Sequence, residues 1–329
     1  MQPLLTDDEI PPKFSTVSPT VFSLNPTAPF RLDLTAWAIR RRPGNDIDLW
    51  DGESYLRVLI VQGKPALIHV IQSGDVDAPR LDVTVSGLNK GGHKAKAIVT
   101  SGLERLLGLQ IELAPFYKLA GSHTRLYELA RRFRGLKPPR FPTVWEGIVN
   151  GIACQQLSLT VAIVLLNRLS EAYGLRVEGP NGPQHAFPAP EDLAAASPRD
   201  VRSLGFSGAK TRALIELGER ISNGNLDLES LADLDNGQAI SRLEELRGVG
   251  RWTAEYALLR GMGRTDLFPG DDIGARNNLA RWMRLRKPLD YERVGRVTSR
   301  WKPYRGLIYF HLLLDGLDRG GYLAKEAST

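Results

Sequence analysis

Residues Leu243–Asp272 read LEELRGVGRWTAEYALLRGMGRTDLFPGDD, and the fold is decided by how this stretch is read. Leu243 and Leu246 fall on one face of a short helix, with Glu244 and Glu245 turned to water. Gly248 and Gly250 bracket Val249. Glycine there reaches backbone angles that other residues avoid and lets a second backbone come close. From Trp252 to Leu259 a helical pattern resumes, so the expected unit is helix, tight glycine turn, helix. The first N–H groups of the second helix have no intrahelical acceptor, and its dipole favours an anion. A phosphodiester held at Gly248, Val249, Gly250, Arg251 and Thr253 meets that description. A ligand-free packing turn is equally compatible with the glycines alone.

The same stretch ends on an acidic pair. Asp271 and Asp272 follow Phe268-Pro269-Gly270 and precede a helix expected from Ile273 to about Met283. One Asp there is an ordinary N-cap; an adjacent pair is more than capping needs. A carboxylate beside a gripped phosphate suggests an enzyme that works on DNA while holding its backbone.

Charge points the same way. The 329-residue chain carries a net +6. Between Ser241 and Arg305 there are fifteen Lys or Arg against eight Asp or Glu, so the basic excess sits on the segment holding the turn and the acidic pair. A nucleic-acid backbone is the partner such a surface fits, with a merely solvated basic face as the alternative. Cys154 is the only cysteine, which excludes an internal disulfide, a cysteine-built metal site and a four-cysteine iron–sulfur cluster. The start, MQPLLTDDEIPPKF, lacks the basic and apolar regions of a signal peptide, and no apolar run is long enough to span a membrane. A cytoplasmic protein is expected, nucleoid-associated if bacterial.

With its Asp266–Asp272 sequel, LEELRGVGRWTAEYALL resembles the helix–hairpin–helix of the DNA glycosylase superfamily with a Gly/Pro-rich loop and catalytic Asp. More specifically, the chain is similar to the bacterial 3-methyladenine DNA glycosylase II family. Three further segments carry that resemblance in the family's order: Ala153-Cys-Gln-Gln-Leu-Ser158, Leu204-Gly-Phe-Ser-Gly-Ala-Lys210 and Arg300-Trp-Lys-Pro-Tyr-Arg305. The resemblance covers roughly Thr143–Leu314 and is weak before Pro138.

The resemblance implies Asp272 as the catalytic carboxylate, with Asp271 as cap or helper. It implies a base pocket at Trp252, Tyr256 and Leu313, and a wedge at Gln156 and Leu157 that fills the gap left by an extruded nucleotide. Relatives that also cut the strand carry a lysine at the position of Trp252, so the expected enzyme is monofunctional, with water as nucleophile. It would release alkylated purines such as 3-methyladenine and 7-methylguanine and leave an abasic site. Leu313 and Leu314 stand where the family places an aromatic pair, with Tyr309 and His311 nearby, which leaves open an oxidised or deaminated base. A non-catalytic DNA-binding protein is the remaining alternative. The resemblance also implies a sodium or potassium ion on the hairpin carbonyls of Glu244, Leu246 and Val249; no cofactor is required. The partner is damaged double-stranded DNA, bound by a monomer.

The expected fold is α+β and mostly α. A loose tail covers 1–20. An antiparallel α+β domain spans 21–118, with strands at Tyr55–Val61, Ala66–Ile71 and Arg80–Val85, a turn at Gln62–Pro65 and a helix at Thr100–Leu107. A helical helix–hairpin–helix glycosylase core in two subdomains fills 119–329. Val144–Leu169 reads as one long helical region, interrupted near the glutamines, and Glu178–Pro190 as a loop. Asn89–Lys96 is a basic glycine loop, either a phosphate contact or a solvated connection.

Overall fold

The computed structural model describes residues 19–88, 92–180 and 182–323. The expected tail, apart from residues 19 and 20, and Asn89–Gly91 of the basic loop lie outside them. Five strands form one antiparallel sheet: β1 (Thr20–Leu24), β2 (Leu49–Trp50), β3 (Ser54–Val61), β4 (Lys64–Gln72) and β5 (Leu81–Ser86), in the order β1-β5-β4-β3-β2. The β3–β4 turn is tighter than expected. Val61 already pairs with Lys64, leaving only Gln62 and Gly63, both with positive φ. Two left-handed central residues match the twist of the flanking strands.

Helices follow and interleave: α1 (Leu32–Arg40), α2 (His93–Leu107), α3 (Ala114–Gly121), α4 (Thr124–Arg132), α5 (Val144–Cys154), α6 (Leu159–Tyr173), α7 (Pro190–Ala194), α8 (Pro198–Ser203), α9 (Gly208–Ser222), α10 (Asn236–Glu244), α11 (Arg251–Arg260), α12 (Ile273–Trp282), α13 (Tyr291–Thr298) and α14 (Arg305–Arg319). The sequence reading of Val21–Pro115 missed α1. Eight of its nine residues are buried, so it shows no polar stripe, and Thr35, Trp37 and Ile39 favour strands when read locally. The loop expected at Glu178–Pro190 is in part a hairpin, β6 (Arg176–Gly179) with β7 (Gly182–His185); Val177 and Ala186 pack on Leu56 and Leu67 of the main sheet. The boundary drawn at residue 118 falls inside α3.

The apolar interior divides into two cores. One joins the sheet and α1–α4 to α12–α14; the other is built by α5–α10. Helix α11 serves both: Tyr256 and Leu259 face the first core, Ala254, Ala257 and Leu258 the second. It lies against α5 at very close range. A Cβ on Gly147 would stand 3.2 Å from Gly261 Cα, and one on Gly151 2.7 Å from Thr253 Cγ2. A buried ion triad ties the sheet to α5: Arg57 on β3 binds Asp48 at 2.6 Å and both oxygens of Glu146 at 2.6 and 2.7 Å. Tyr55 donates to Asp48 at 2.6 Å.

His311 on α14 is 1% exposed, with Nδ1 2.8 Å from the Leu307 carbonyl and its ring against Phe116. Burial pushes its pKa down to about 4. Between that value and the ordinary 6.5 the unfolded chain binds the proton and the folded chain does not, so stability rises with pH. Acidification from pH 7 to 4 is expected to remove about 2–3 kcal/mol through this residue. Urea midpoints of wild type and His311→Phe check it: the variant should lose that part of the acid sensitivity.

Candidate active site

A cleft of about 900 Å³ opens where the two cores meet. It gathers Gln156, Leu157, Trp252, Tyr256, Asp272 and Leu313, which are spread over nearly half of the sequence. They arrive on four supports: the α5–α6 connection, α11, the start of α12 and α14.

Asp272 is the N-cap of α12. Its Oδ1 accepts the Ala275 N–H at 2.8 Å and its Oδ2 accepts the Tyr309 hydroxyl at 3.1 Å. Asp271 is more exposed and lies 3.8 Å from Arg276. The loop before them is set by Glu255, a buried residue of α11. Its carboxylate accepts the Gly270 N–H at 3.1 Å and the Tyr291 hydroxyl at 2.6 Å, and burial raises its pKa. The Tyr291 ring covers Gly270 so closely that a Cβ there would stand 2.6 Å from it. Sequence reading passed over Glu255 because a lone glutamate in a helix usually faces water.

The Trp252 and Tyr256 rings are 5.4 Å apart, one helical turn along α11. Trp252 is half-buried, and its Nε1 has no hydrogen-bond partner among the described residues. Beneath them lies the largest omission of the sequence reading. Arg41, just past the end of α1, donates to the Tyr256 hydroxyl at 2.7 Å and to Asn150 Oδ1 at 2.7 Å, and approaches Cys154 Sγ at 4.0 Å. Arg260 lies below with its guanidinium 5.7 Å from the Tyr256 ring centre and 5.1 Å from that of Phe310. Arg42 lies over Tyr322 at 5.5 Å on the cleft wall. The only available signal was the run Arg40-Arg41-Arg42 closing an apolar segment. Leu313 lines the cleft, whereas Leu314 is fully buried in the core, so only one of the two leucines reaches the pocket.

The glutamine segment breaks α5 from α6. Gln156 has φ 56°, a left-handed angle that costs a non-glycine residue energy and aims it outward. Gln156 and Leu157 are exposed at the cleft rim. Lys210 holds this bend by donating to the carbonyls of Ala153 at 2.9 Å and Gln155 at 2.7 Å. Gln155 turns inward instead, donating to the Gly248 carbonyl at 2.7 Å and to Thr253 Oγ1 at 2.9 Å. The Thr253 side chain is therefore occupied and buried, and the phosphate contact expected of it falls to its backbone N–H.

The turn itself is as expected. Gly248 has φ 77° and Gly250 is the extended N-cap of α11, with no side chain capping the helix. Open space surrounds Gly250, so a ligand backbone can approach it. Glu244 ends α10, and the Leu246 carbonyl accepts Val249 N–H at 3.1 Å with a lone pair left over. Neutral carbonyl oxygens of this kind suit a weakly charged hard cation better than a divalent one. Arg281, Arg284, Arg286, Lys287, Arg296 and Arg300 of the basic segment are exposed on and after α12 and α13. No helix among the described residues is long and apolar enough to cross a membrane.

These features define a helix–hairpin–helix with a carboxylate loop set into a cleft. The chain belongs to the HhH-GPD superfamily of base excision DNA repair proteins, whose family model matches residues 149–303. Its homologues include DNA-3-methyladenine glycosylases. It is 30% identical to DNA-3-methyladenine glycosylase 1 of Schizosaccharomyces pombe over 164 residues, half of this chain and 68% of that one. It is 32% identical to DNA-3-methyladenine glycosylase 2 of Escherichia coli over 180 residues, 54% of this chain and 60% of that one. The solved 3-methyladenine DNA glycosylase of Archaeoglobus fulgidus superposes over 91% of this chain and 98% of its own, with a TM-score of 0.78 at 24% identity. That likeness extends through the N-terminal sheet, where the sequence resemblance was thin.

Proposed function

We propose that the protein is a monofunctional DNA N-glycosylase that flips alkylated purines, such as 3-methyladenine and 7-methylguanine, out of duplex DNA. It hydrolyses the bond to the sugar and leaves an abasic site. The observation that carries this reading is Asp272 at the wall of a cleft floored by Trp252 and Tyr256, with the Gly248–Gly250 hairpin at the start of the same α11. The Asp272 carboxylate stabilises positive charge on the deoxyribose and orients the attacking water. Trp252 and Tyr256 stack on the extruded base, and their electron-rich faces suit a cationic one. Gln156 and Leu157 fill the vacated stack. The N–H groups opening α11, with Arg251, hold phosphate. The carbonyls of Glu244, Leu246 and Val249 would hold a monovalent cation, which supplies positive charge near the backbone when bound. Trp252 offers no amine for a Schiff base, and Lys210 is tied to two carbonyls.

The experiment is an end-labelled duplex bearing one 7-methylguanine, incubated with enzyme. The expected product is an intact strand that breaks only after alkali, with no adduct trapped by borohydride. Direct cleavage or a trapped adduct would contradict monofunctional hydrolysis. One observation favours a second reading. Arg42 on the cleft wall is a donor that suits a neutral base with acceptor oxygens, as in oxidised or deaminated lesions. A hypoxanthine or 8-oxoguanine duplex in the same assay separates the two.

A further inference from the structure

We propose that Tyr309 is a positioning residue for the Asp272 carboxylate, fixing its plane and keeping it ready to face a positively charged sugar. The inference rests on the reading of Asp272 as the catalytic group.

The geometry is specific. The two oxygens of Asp272 are held from two directions: Oδ1 by the Ala275 N–H of its own helix, Oδ2 by the Tyr309 hydroxyl from α14, thirty-seven residues away. One hydrogen bond leaves a carboxylate free to swing about its bond to Cβ; two from different elements stop it. Tyr309 is itself rigid. It is 7% exposed, and its ring is edge-on to Phe268 at 5.7 Å and to Phe310 at 5.5 Å. It lines the cleft, and its hydroxyl reaches Asp272 there. Burial, and then the neighbouring Asp272 charge, push the phenol well above its ordinary range, so it stays a donor at any pH the enzyme meets. A donor that cannot ionise stabilises a carboxylate only while the carboxylate is charged. Each Asp272 oxygen keeps a lone pair for sugar or water.

The other groups around Asp272 are accounted for. Cys154 faces it from α5 and Tyr256 from α11, with Arg41 and Arg260 set against Tyr256. Burial raises both the Cys154 thiol and the Tyr256 phenol, so neither ionises near neutrality. The arginines keep their charge throughout. Asp271 lies beside Arg276. His311, also on α14, packs against Phe116 and Phe133.

The test uses a duplex carrying a cationic azasugar in place of one deoxyribose, which mimics the charged sugar whichever base is the natural lesion. Its affinity is measured for wild type, Tyr309→Phe and Asp272→Asn, beside affinity for an undamaged duplex and melting temperatures. Tyr309→Phe should bind the azasugar duplex about tenfold more weakly than wild type while binding undamaged duplex equally well. Asp272→Asn should bind the azasugar duplex more weakly still. If Asp272→Asn binds it as tightly as wild type, the assignment of Asp272 is wrong. If Asp272→Asn is weak but Tyr309→Phe matches wild type on both duplexes, Tyr309 does not position the carboxylate, and a lowered melting temperature alone would mark it as packing.

Discussion

Asp272→Asn is expected to lower single-turnover base release by at least about a hundredfold while leaving affinity for undamaged duplex unchanged or slightly tighter. The amide keeps the shape of the side chain, and its oxygen can still cap α12 through the Ala275 N–H, so the fold is preserved. What disappears is the negative charge facing the sugar. Binding of undamaged DNA depends on the hairpin and the basic face, to which a carboxylate contributes only repulsion. Rapid-quench kinetics with filter binding on the same preparation check both halves. A loss of binding parallel to the loss of rate would mean that the residue holds DNA rather than acting on the sugar.

Arg57→Met is expected to cost about 3–5 kcal/mol of folding stability at neutral pH. The substitution keeps most of the volume but strands two carboxylates, Asp48 and Glu146, in an interior where their side chains are 3% and 4% exposed. Burial already raises the Glu146 carboxyl, with Arg57 pulling the other way; without Arg57 it rises further. Then the folded state binds a proton that the unfolded state releases, so stability of the variant improves as pH falls through the range between those two values. The wild-type minus variant difference should therefore be largest near neutrality and shrink toward pH 5. Urea unfolding at a series of pH values reads this directly. A difference independent of pH would show that packing, not stranded charge, sets the cost.

How much of this was legible in the sequence depended on whether the signal was local. Leu243–Asp272 carried its own reading: two apolar positions, a glycine turn, a helix and a capped acidic pair appear in the structure in that order. The break at the glutamines and the helices on either side were legible because apolar periodicity stops there. Helix α1 was not legible, since burial on all sides erased the polar stripe by which a helix is recognised. With it went Arg41, whose partners Tyr256 and Asn150 are more than a hundred residues away in sequence. Glu255, and the contact of Tyr309 with Asp272, were hidden because they depend on tertiary packing. Each is an ordinary helical residue until tertiary packing brings Gly270, Tyr291 or Asp272 within reach. The proline- and glycine-rich segment at Glu178–Pro190 reads as a loop locally. Its hairpin forms because Val177 and Ala186 find apolar cover on the main sheet.

The central claim is that this cleft removes alkylated purines by hydrolysis. Its most direct test is chromatographic identification of the free bases released from methylated duplex DNA by the wild-type protein. The account predicts free 3-methyladenine and 7-methylguanine in the soluble fraction. Unaltered DNA bound tightly by the protein, with no base released, would contradict it and direct attention to Leu313 and Arg42 as the walls of a pocket shaped for another lesion.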